Sequence, residues 1–221
     1  MNMRNILGGV DNCCQGQRDL IIIGAGGHGK VVADIARKLK KYDNIFFLDD
    51  INGLKPVCGI SVIGTTRDIN KYIKDFDIIV AIGNNLVRYE FLKKLKKFKA
   101  SIPYLVHPNA VIGFDVNIGY GTVIMAGVVI NSSANIGNGC IINTNSVVEH
   151  DSVVEDFCHV SPGVSIAGGS RIGSKTWVGI GASIIENINI CENCIIGAGS
   201  TVIKNINNPG VYVGTPVKKI E

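Results

Sequence analysis

The stretch Ile112-Gly113-Phe114-Asp115-Val116-Asn117-Ile118-Gly119-Tyr120-Gly121-Thr122-Val123-Ile124 opens a pattern that continues unbroken to Val202, with Ile or Val at every sixth residue. The aliphatic positions are 112, 118, 124, 130, 136, 142, 148, 154, 160, 166, 172, 178, 184, 190, 196 and 202. Two residues before each stands a second series, mostly small, as in Ala134, Cys140, Ser146 and Ser152; only Ile188 is bulky. One β-branched residue per six predicts a parallel β-helix, in which each hexapeptide is one side of a triangular coil and eighteen residues make one turn. The branched side chains line the prism interior from flat β faces, and the small ones fit where the chain turns. Glycines directly after the wall residue, at 113, 119, 137, 173, 179 and 197, are expected to add backbone freedom near the corners.

Outside this array, upstream of about residue 110, strands alternate with helices. Leu20-Ile21-Ile22-Ile23 reads as a buried parallel strand, followed by Gly24-Ala25-Gly26-Gly27-His28-Gly29 and a helix from about Lys30 to Lys41. Ile45 to Leu48 is a second strand ending in Asp49-Asp50, Thr66 to Tyr72 a short helix, and Ile78 to Ile82 a third strand ending at Gly83-Asn84-Asn85. Val87 to Phe98 follows as an amphipathic helix, with Val87, Phe91, Leu95 and Phe98 along one face. The division expected is a flexible leader over 1–18, a Rossmann-like α/β domain over 19–106, and an all-β domain over 107–221 that carries the coil and a C-terminal cap.

In a doubly wound unit, ligands bind at the carboxyl ends of the strands, where Asp49, Asp50, Gly83, Asn84 and the glycine loop lie. Gly24, Gly26 and Gly29 satisfy the G-x-G-x-x-G spacing, so backbone N–H groups at a helix start are available to a phosphate, and Asp49 follows at the distance of a ribose-binding acid. A nicotinamide dehydrogenase fits this half alone. It is weakened by length, since roughly 85 residues supply one mononucleotide-binding half. A loop whose glycines merely let a helix pack close to a strand is the plain alternative.

A net charge of +4 on 221 residues, spread along the chain, points to neither nucleic acid nor a membrane surface. No apolar run approaches the length of a membrane span and residues 1–19 lack a signal-peptide core, so a cytoplasmic protein is expected. Of the seven cysteines, Cys140, Cys158 and Cys194 fall in the small inward series and act as compact apolar fillers. Cys191-x-x-Cys194 has zinc-like spacing without a second ligand pair, so no metal is expected.

Four histidines remain, at 28, 107, 150 and 159. His107, before Pro108 at the domain junction, reads as structural. His28 lies in the glycine loop, either over a phosphate site or as loop packing. His150, two residues past Val148, points away from the coil interior between Glu149 and Asp151, whose carboxylates raise imidazole basicity. A solvated histidine in an acidic patch would look the same. One coil later stands Gly168, whose bare N–H would lie about 5 Å from His150, giving a base and an oxyanion donor within reach of one atom.

Taken together, Ile23-Gly24-Ala25-Gly26-Gly27-His28-Gly29, Leu48-Asp49-Asp50, Ala81-Ile82-Gly83-Asn84-Asn85, Asn143-Thr144, Glu149-His150-Asp151, His159-Val160-Ser161 and Val213-Gly214-Thr215-Pro216-Val217-Lys218 resemble, in order over residues 19 to 220, the sugar O-/N-acetyltransferases of the sialic acid and bacillosamine pathways. The resemblance implies a homotrimer of left-handed β-helices with acetyl-CoA between subunits, acting on a nucleotide-linked amino sugar or, alternatively, on a hydroxyl of sialic acid or a related sugar. It implies substrate contacts at Gly26, Gly27, His28, Asp49, Asp50 and Gly83, a general base at His150 tuned by Asp151, and an oxyanion donor at Gly168. It implies acetyl-CoA contacts at His159, Ser161, Gly168, Ile180 and Ala198. Asp151 departs from the Glu frequent in relatives, and Val217 from the usual Ala.

Overall fold

The computed structural model describes residues 18–51 and 53–220. The flexible leader expected over 1–18, with Cys13 and Cys14, therefore lies outside the described residues except for Arg18. Strands β1 (Asp19–Ile23), β2 (Ile45–Leu48), β3 (Val62–Gly64) and β4 (Phe76–Val80) form a parallel sheet in the order β3-β2-β1-β4. Leu20 to Ile23 and Ile78 to Val80 have no solvent exposure, as unbroken apolar runs in a sheet covered on both faces should. Helix α1 (Gly27–Leu39) crosses from β1 to β2, and helix α2 (Asn85–Lys97) follows β4.

Three readings of this half change. The α1 helix begins at Gly27, so His28 sits in its first turn; Gly26 is the extended N-cap, and glycines with no side chain to place do not stop the helix early. A short strand, β3, precedes the 3₁₀ turn at Thr66–Lys71 and has only three residues to announce it. In α2 the buried residues are Arg88, Leu92 and Leu95, whereas Val87 and Phe98 are exposed. The helix is turned because its inward face must meet the coil as well as the sheet, and an arginine occupies the contact.

From Leu105 the chain winds as a parallel β-helix. Leu105–Val106 already pairs with Val123–Ile124, so Val106 is a seventeenth wall position, six before Ile112. Three sheets form the prism. The first, eight-stranded, carries Val123–Ile124, Ile141–Ile142, His159–Val160, Trp177–Val178 and Cys194–Ile196 and ends with the closing hairpin Gly210–Gly214 and Val217–Lys219. The second, six-stranded, runs from Val111–Ile112 to Thr201–Val202, and the third, five-stranded, from Asn117–Ile118 to Asn189–Ile190. Within the coils each paired strand is offset from its neighbour by eighteen residues, as Val147↔Ser165 and Val153↔Arg171 illustrate, whereas the closing strand pairs Cys194 with Gly210 at an offset of sixteen. Wall residues from Ile124 onward are buried, each such burial contributing roughly 1.5–3 kcal/mol.

The polar members of the small series are buried too, and four of them share one hydrogen-bond pattern. Thr122 Oγ1 donates to Gly137 O, Ser152 Oγ to Ala167 O, Ser170 Oγ to Ile185 O and Thr176 Oγ1 to Cys191 O, each fifteen residues on. These four hydroxyls tie one coil to the next without leaving a buried donor unmet, whereas Ser146 Oγ donates within its own coil to Asn143 O.

The glycines after the wall residue serve a different purpose from the one expected. A Cβ on Gly113, Gly119, Gly173 or Gly179 would come within 2.7 Å of the backbone of the following coil, so close approach, not conformational freedom, demands glycine there. The left-handed residues fall three after the wall: Asp115, Gly121, Asn145, Asp151, Phe157 and Lys175 all have φ near +60° or +70°. These are the corners.

Candidate active site

His150 occupies the corner between the second and third sheets. Its side chain is 65% exposed, and Nδ1 lies 2.7 Å from Asp151 Oδ2. A carboxylate accepts, so Nδ1 carries the proton and Nε2 presents a lone pair outward. Asp151 is the left-handed corner residue of this coil, with φ +60°, and short polar side chains tolerate that conformation best. Glu149 does not compete, because its Oε2 accepts from Asn131 Nδ2 at 2.7 Å. The hydrogen bond to Asp151, with the charges of Asp151 and Glu149 behind it, raises the His150 pKa above its ordinary value.

Gly168 lies directly over the imidazole. A Cβ placed on it would meet His150 Nε2 at 2.7 Å and Cε1 at 2.8 Å. The N–H of Gly168 donates to no group among the described residues, because the ladder bonds at this corner are made by Ala167 N and Gly169 N. His150 and Gly168, expected together from their spacing of eighteen, thus lie side by side.

A second constellation sits where the α/β domain meets the first sheet. His159, Trp177 and Ile195 are register partners on the outward face of that sheet. Trp177 is stacked on His159 with ring planes 10° apart and centroids 5.9 Å apart, and its Nε1 donates to the buried Ser161 Oγ at 2.8 Å. Asn143 Oδ1 accepts from Thr144 N, which turns its Nδ2 toward His159 Nε2 at 3.2 Å and makes that ring nitrogen an acceptor. Burial first, and Arg88 second, lower the His159 pKa to about 4. His28 is held lower still, at about 3, by burial, then Arg88, then His159, and its buried Nε2 has no hydrogen-bond partner among the described residues. Both imidazoles are neutral at pH 7.

Between these groups and the start of α2 opens a cavity of about 520 Å³, a size suited to a small organic ligand, lined by Gly83, Asn84, Leu86, His159, Trp177 and Ile195 among others. Its walls are largely apolar, with Asn85, Asn193 and Lys175 as further lining groups.

The end of the α/β domain where a nucleotide is expected is built by α1 and the strand ends. Helix α1 has no side-chain cap and no acidic residue in its first turn, so its leading N–H groups remain available to an anion at Gly26-Gly27-His28. Asp49 is more engaged than a free ribose acid would be: Oδ2 accepts from Ala25 N at 2.8 Å and Oδ1 from Ile51 N at 2.9 Å, pinning the glycine loop to the end of β2. Asp50 likewise accepts from Thr66 N and Oγ1. His107 is buried, with Nδ1 accepting from Asn109 N, in keeping with a structural role.

Ile180 and Ala198 are exposed and share the corner between the first and second sheets, eighteen residues apart. That corner is not the corner of His150 and Gly168, so within one chain the residues expected to meet acetyl-CoA fall into two separate sets. Trp177 and Arg88 escaped the sequence reading. The spacing of eighteen from His159 to Trp177, the chain's single tryptophan, was the signal available for the first. Cys191 Sγ lies 3.5 Å from Cys194 Sγ, and among the described residues no group of three or more His, Cys, Asp or Glu side chains could hold a metal.

Residues 19–95 match the family model of the PglD N-terminal domain, and residues 169–204 that of the bacterial transferase hexapeptide (six repeats). UDP-N-acetylbacillosamine N-acetyltransferase of Bacillus subtilis is 36% identical over 114 residues, which cover 49% of this chain and 52% of that protein, so the match spans about half the length of this curated relative. The acetyltransferase domain of PglB from Neisseria gonorrhoeae, solved with acetyl coenzyme A, superposes with a TM-score of 0.90 at 37% identity, covering 93% of this chain and 100% of that one. A histidine-to-asparagine mutant of perosamine N-acetyltransferase from Caulobacter crescentus, solved with CoA and GDP-perosamine, gives 0.86 at 32% identity, covering 92% and 97%. The coil is thus of the left-handed kind.

Proposed function

Because this chain belongs to the hexapeptide-repeat sugar N-acetyltransferase family, the family of the PglB acetyltransferase domain and perosamine N-acetyltransferase, we propose that it moves the acetyl group of acetyl-CoA to the 4-amino group of a UDP- or GDP-linked amino sugar. The observation that carries the reading is the pairing of a carboxylate-held imidazole with a bare glycine whose N–H is free one coil away. The amine nitrogen attacks the thioester carbonyl carbon while His150 Nε2 takes its proton, and the Gly168 N–H steadies the oxyanion. Collapse breaks the C–S bond, and the CoA thiolate leaves with the proton held by the imidazolium. Asp151 keeps Nδ1 protonated throughout.

The acceptor is read as lying along the α/β domain. Its diphosphate meets the open N-terminus of α1 at Gly26, Gly27 and His28, its nucleoside lies toward Asp49 and Asp50 at β2, and its hexose reaches past Gly83 at β4 into the cavity against Trp177. Neutral His28 and His159 are hydrogen-bonding groups there, not acids. The two sets of expected acetyl-CoA contacts, His150 with Gly168 and His159 with Ile180 and Ala198, are best joined by a neighbouring copy, which supports a homotrimer with acetyl-CoA in the groove between subunits. Among the described residues no helix is long and apolar enough to cross a membrane, and the cytoplasm is the compartment inferred.

The test is thiol release from acetyl-CoA with UDP-linked 4-amino-4,6-dideoxy sugars, GDP-perosamine and sialic acid assayed in parallel. Turnover with a nucleotide-linked amine alone is expected; turnover with sialic acid alone would overturn the N-acetyl reading. The pH profile adds a second check. Neutral His150 is the active form, and its raised pKa sets the acid limb of kcat/KM above the ordinary imidazole range. Asp151→Asn keeps a residue tolerant of φ +60° but removes the charge, so the acid limb should move to lower pH while the plateau falls. An unmoved limb would show that Asp151 does not tune the base.

A further inference from the structure

Arg88 is the largest fully buried side chain among the described residues, and none of the ion pairs found there includes it. A buried cation ordinarily needs an anion. Here oxygen dipoles replace it: Nε donates to Gly139 O at 2.6 Å, Nη1 to Ile82 O and Gly83 O at 2.9 and 3.0 Å, and Nη2 to Asn85 Oδ1, Phe157 O and Cys158 O at 2.8 to 3.2 Å.

The acceptors come from two bodies. Ile82 and Gly83 form the loop after β4 that opens onto the cavity, whereas Gly139 and Phe157 are the same left-handed corner position in successive coils. Lys175 is that position in the next coil, and its carbonyl accepts from Asn85 Nδ2 at 3.0 Å, with Thr176 O at 3.3 Å. Two side chains one helical turn apart therefore grip three consecutive coils at one corner while holding the loop on their other side. Cys158, the last carbonyl gripped, leads directly into His159. Only a planar fork with five donors spans both bodies at once; a lysine ammonium offers three donors from one point.

We propose that Arg88, with Asn85, is a positioning clamp that fixes the acceptor loop Ile82–Gly83 against the β-helix and so sets where the acceptor sugar lies relative to the coil. The proposal rests on the acceptor site described above. Arg88 touches no substrate in it; the residue acts through the loop. Its charge, after burial, also helps to keep His28 and His159 neutral.

Arg88→Lys and Asn85→Ala in the full chain test it, by steady-state kinetics for each substrate, by hydrogen exchange of the backbone, and by melting temperature. The expected result is a KM for the nucleotide sugar raised roughly 10- to 100-fold with KM for acetyl-CoA within about twofold of wild type. Faster exchange at the amides of 82–86, with the coil amides beyond 105 unchanged, should accompany it. Equal losses for both substrates, or a lower melting temperature with unchanged KM values and unchanged exchange at 82–86, would overturn the clamp. If Arg88→Lys fails to fold, Asn85→Ala decides by its exchange at 82–86 and not by KM, since Asn85 also lines the cavity while its loss removes two coil contacts and leaves the cation in place. Exchange needs no turnover, so a wild-type protein inactive on every acceptor would refute the acetyltransferase reading while the clamp is still judged by its amides.

Discussion

His150→Ala is expected to lower kcat by roughly two to four orders of magnitude while leaving KM for acetyl-CoA within about threefold of wild type. The asymmetry follows from where the side chain sits. Its ring is largely exposed and, among the described residues, bonded only to Asp151, so its loss leaves no cavity and no buried group unmet, and the melting temperature should hold. What disappears is a lone pair at Nε2 directed outward beside a free N–H. The reaction would then depend on solvent to take the amine proton, so the deficit should shrink as pH rises. Steady-state kinetics across pH checks this, and turnover within a few-fold of wild type would remove His150 from the chemistry.

The coil was legible in the sequence because its period is imposed by sterics at every repeat: a branched residue that leaves the interior wall has nowhere else to go. Its corners were misread for an equally physical reason. Glycine serves two unrelated needs in this fold, space at the residue after the wall and a left-handed φ three residues after it, and composition cannot tell them apart. Asp151, Phe157 and Lys175 turn the corner without glycine, whereas Gly113 and Gly173 are needed where the backbone is ordinary.

In the α/β half, the glycine loop and strand ends declared themselves by local spacing. The orientation of α2 did not, because its inward face is decided by the coil, a partner more than fifty residues away in sequence at Gly139. A buried arginine bonded to carbonyls is invisible to a reading that assigns charges to the surface. The candidate site shows the same division. The pairing of His150 with Gly168 is a spacing of eighteen and follows from the coil, and so does the stack of Trp177 on His159 once the outward positions are read with the same period. The commitments of Asp49 to Ala25 N and Ile51 N are set by how two loops close, and nothing in the sequence spacing reveals them.

Gly168→Ala should be nearly as damaging to turnover as loss of the imidazole, at roughly 100- to 1000-fold in kcat, with a melting temperature close to wild type. Gly168 is not among the left-handed residues of the chain, unlike Gly169 beside it at φ +66°, so its backbone accepts alanine without strain. The added methyl would stand 2.7 Å from His150 Nε2 and 3.3 Å from Cδ2, and must displace the ring. The ring can swing into solvent at little cost to folding, but in doing so it carries the base away from the Gly168 N–H, which alanine retains. The substitution thus separates the donor from the base's position. Because both changes act on one catalytic unit, the double variant His150→Ala, Gly168→Ala should be no more than about threefold slower than His150→Ala alone. Multiplying losses in the double variant would mean that Gly168 matters for something other than the imidazole above it, and wild-type turnover in Gly168→Ala would mean that the ring's place over the glycine is not the place where it works.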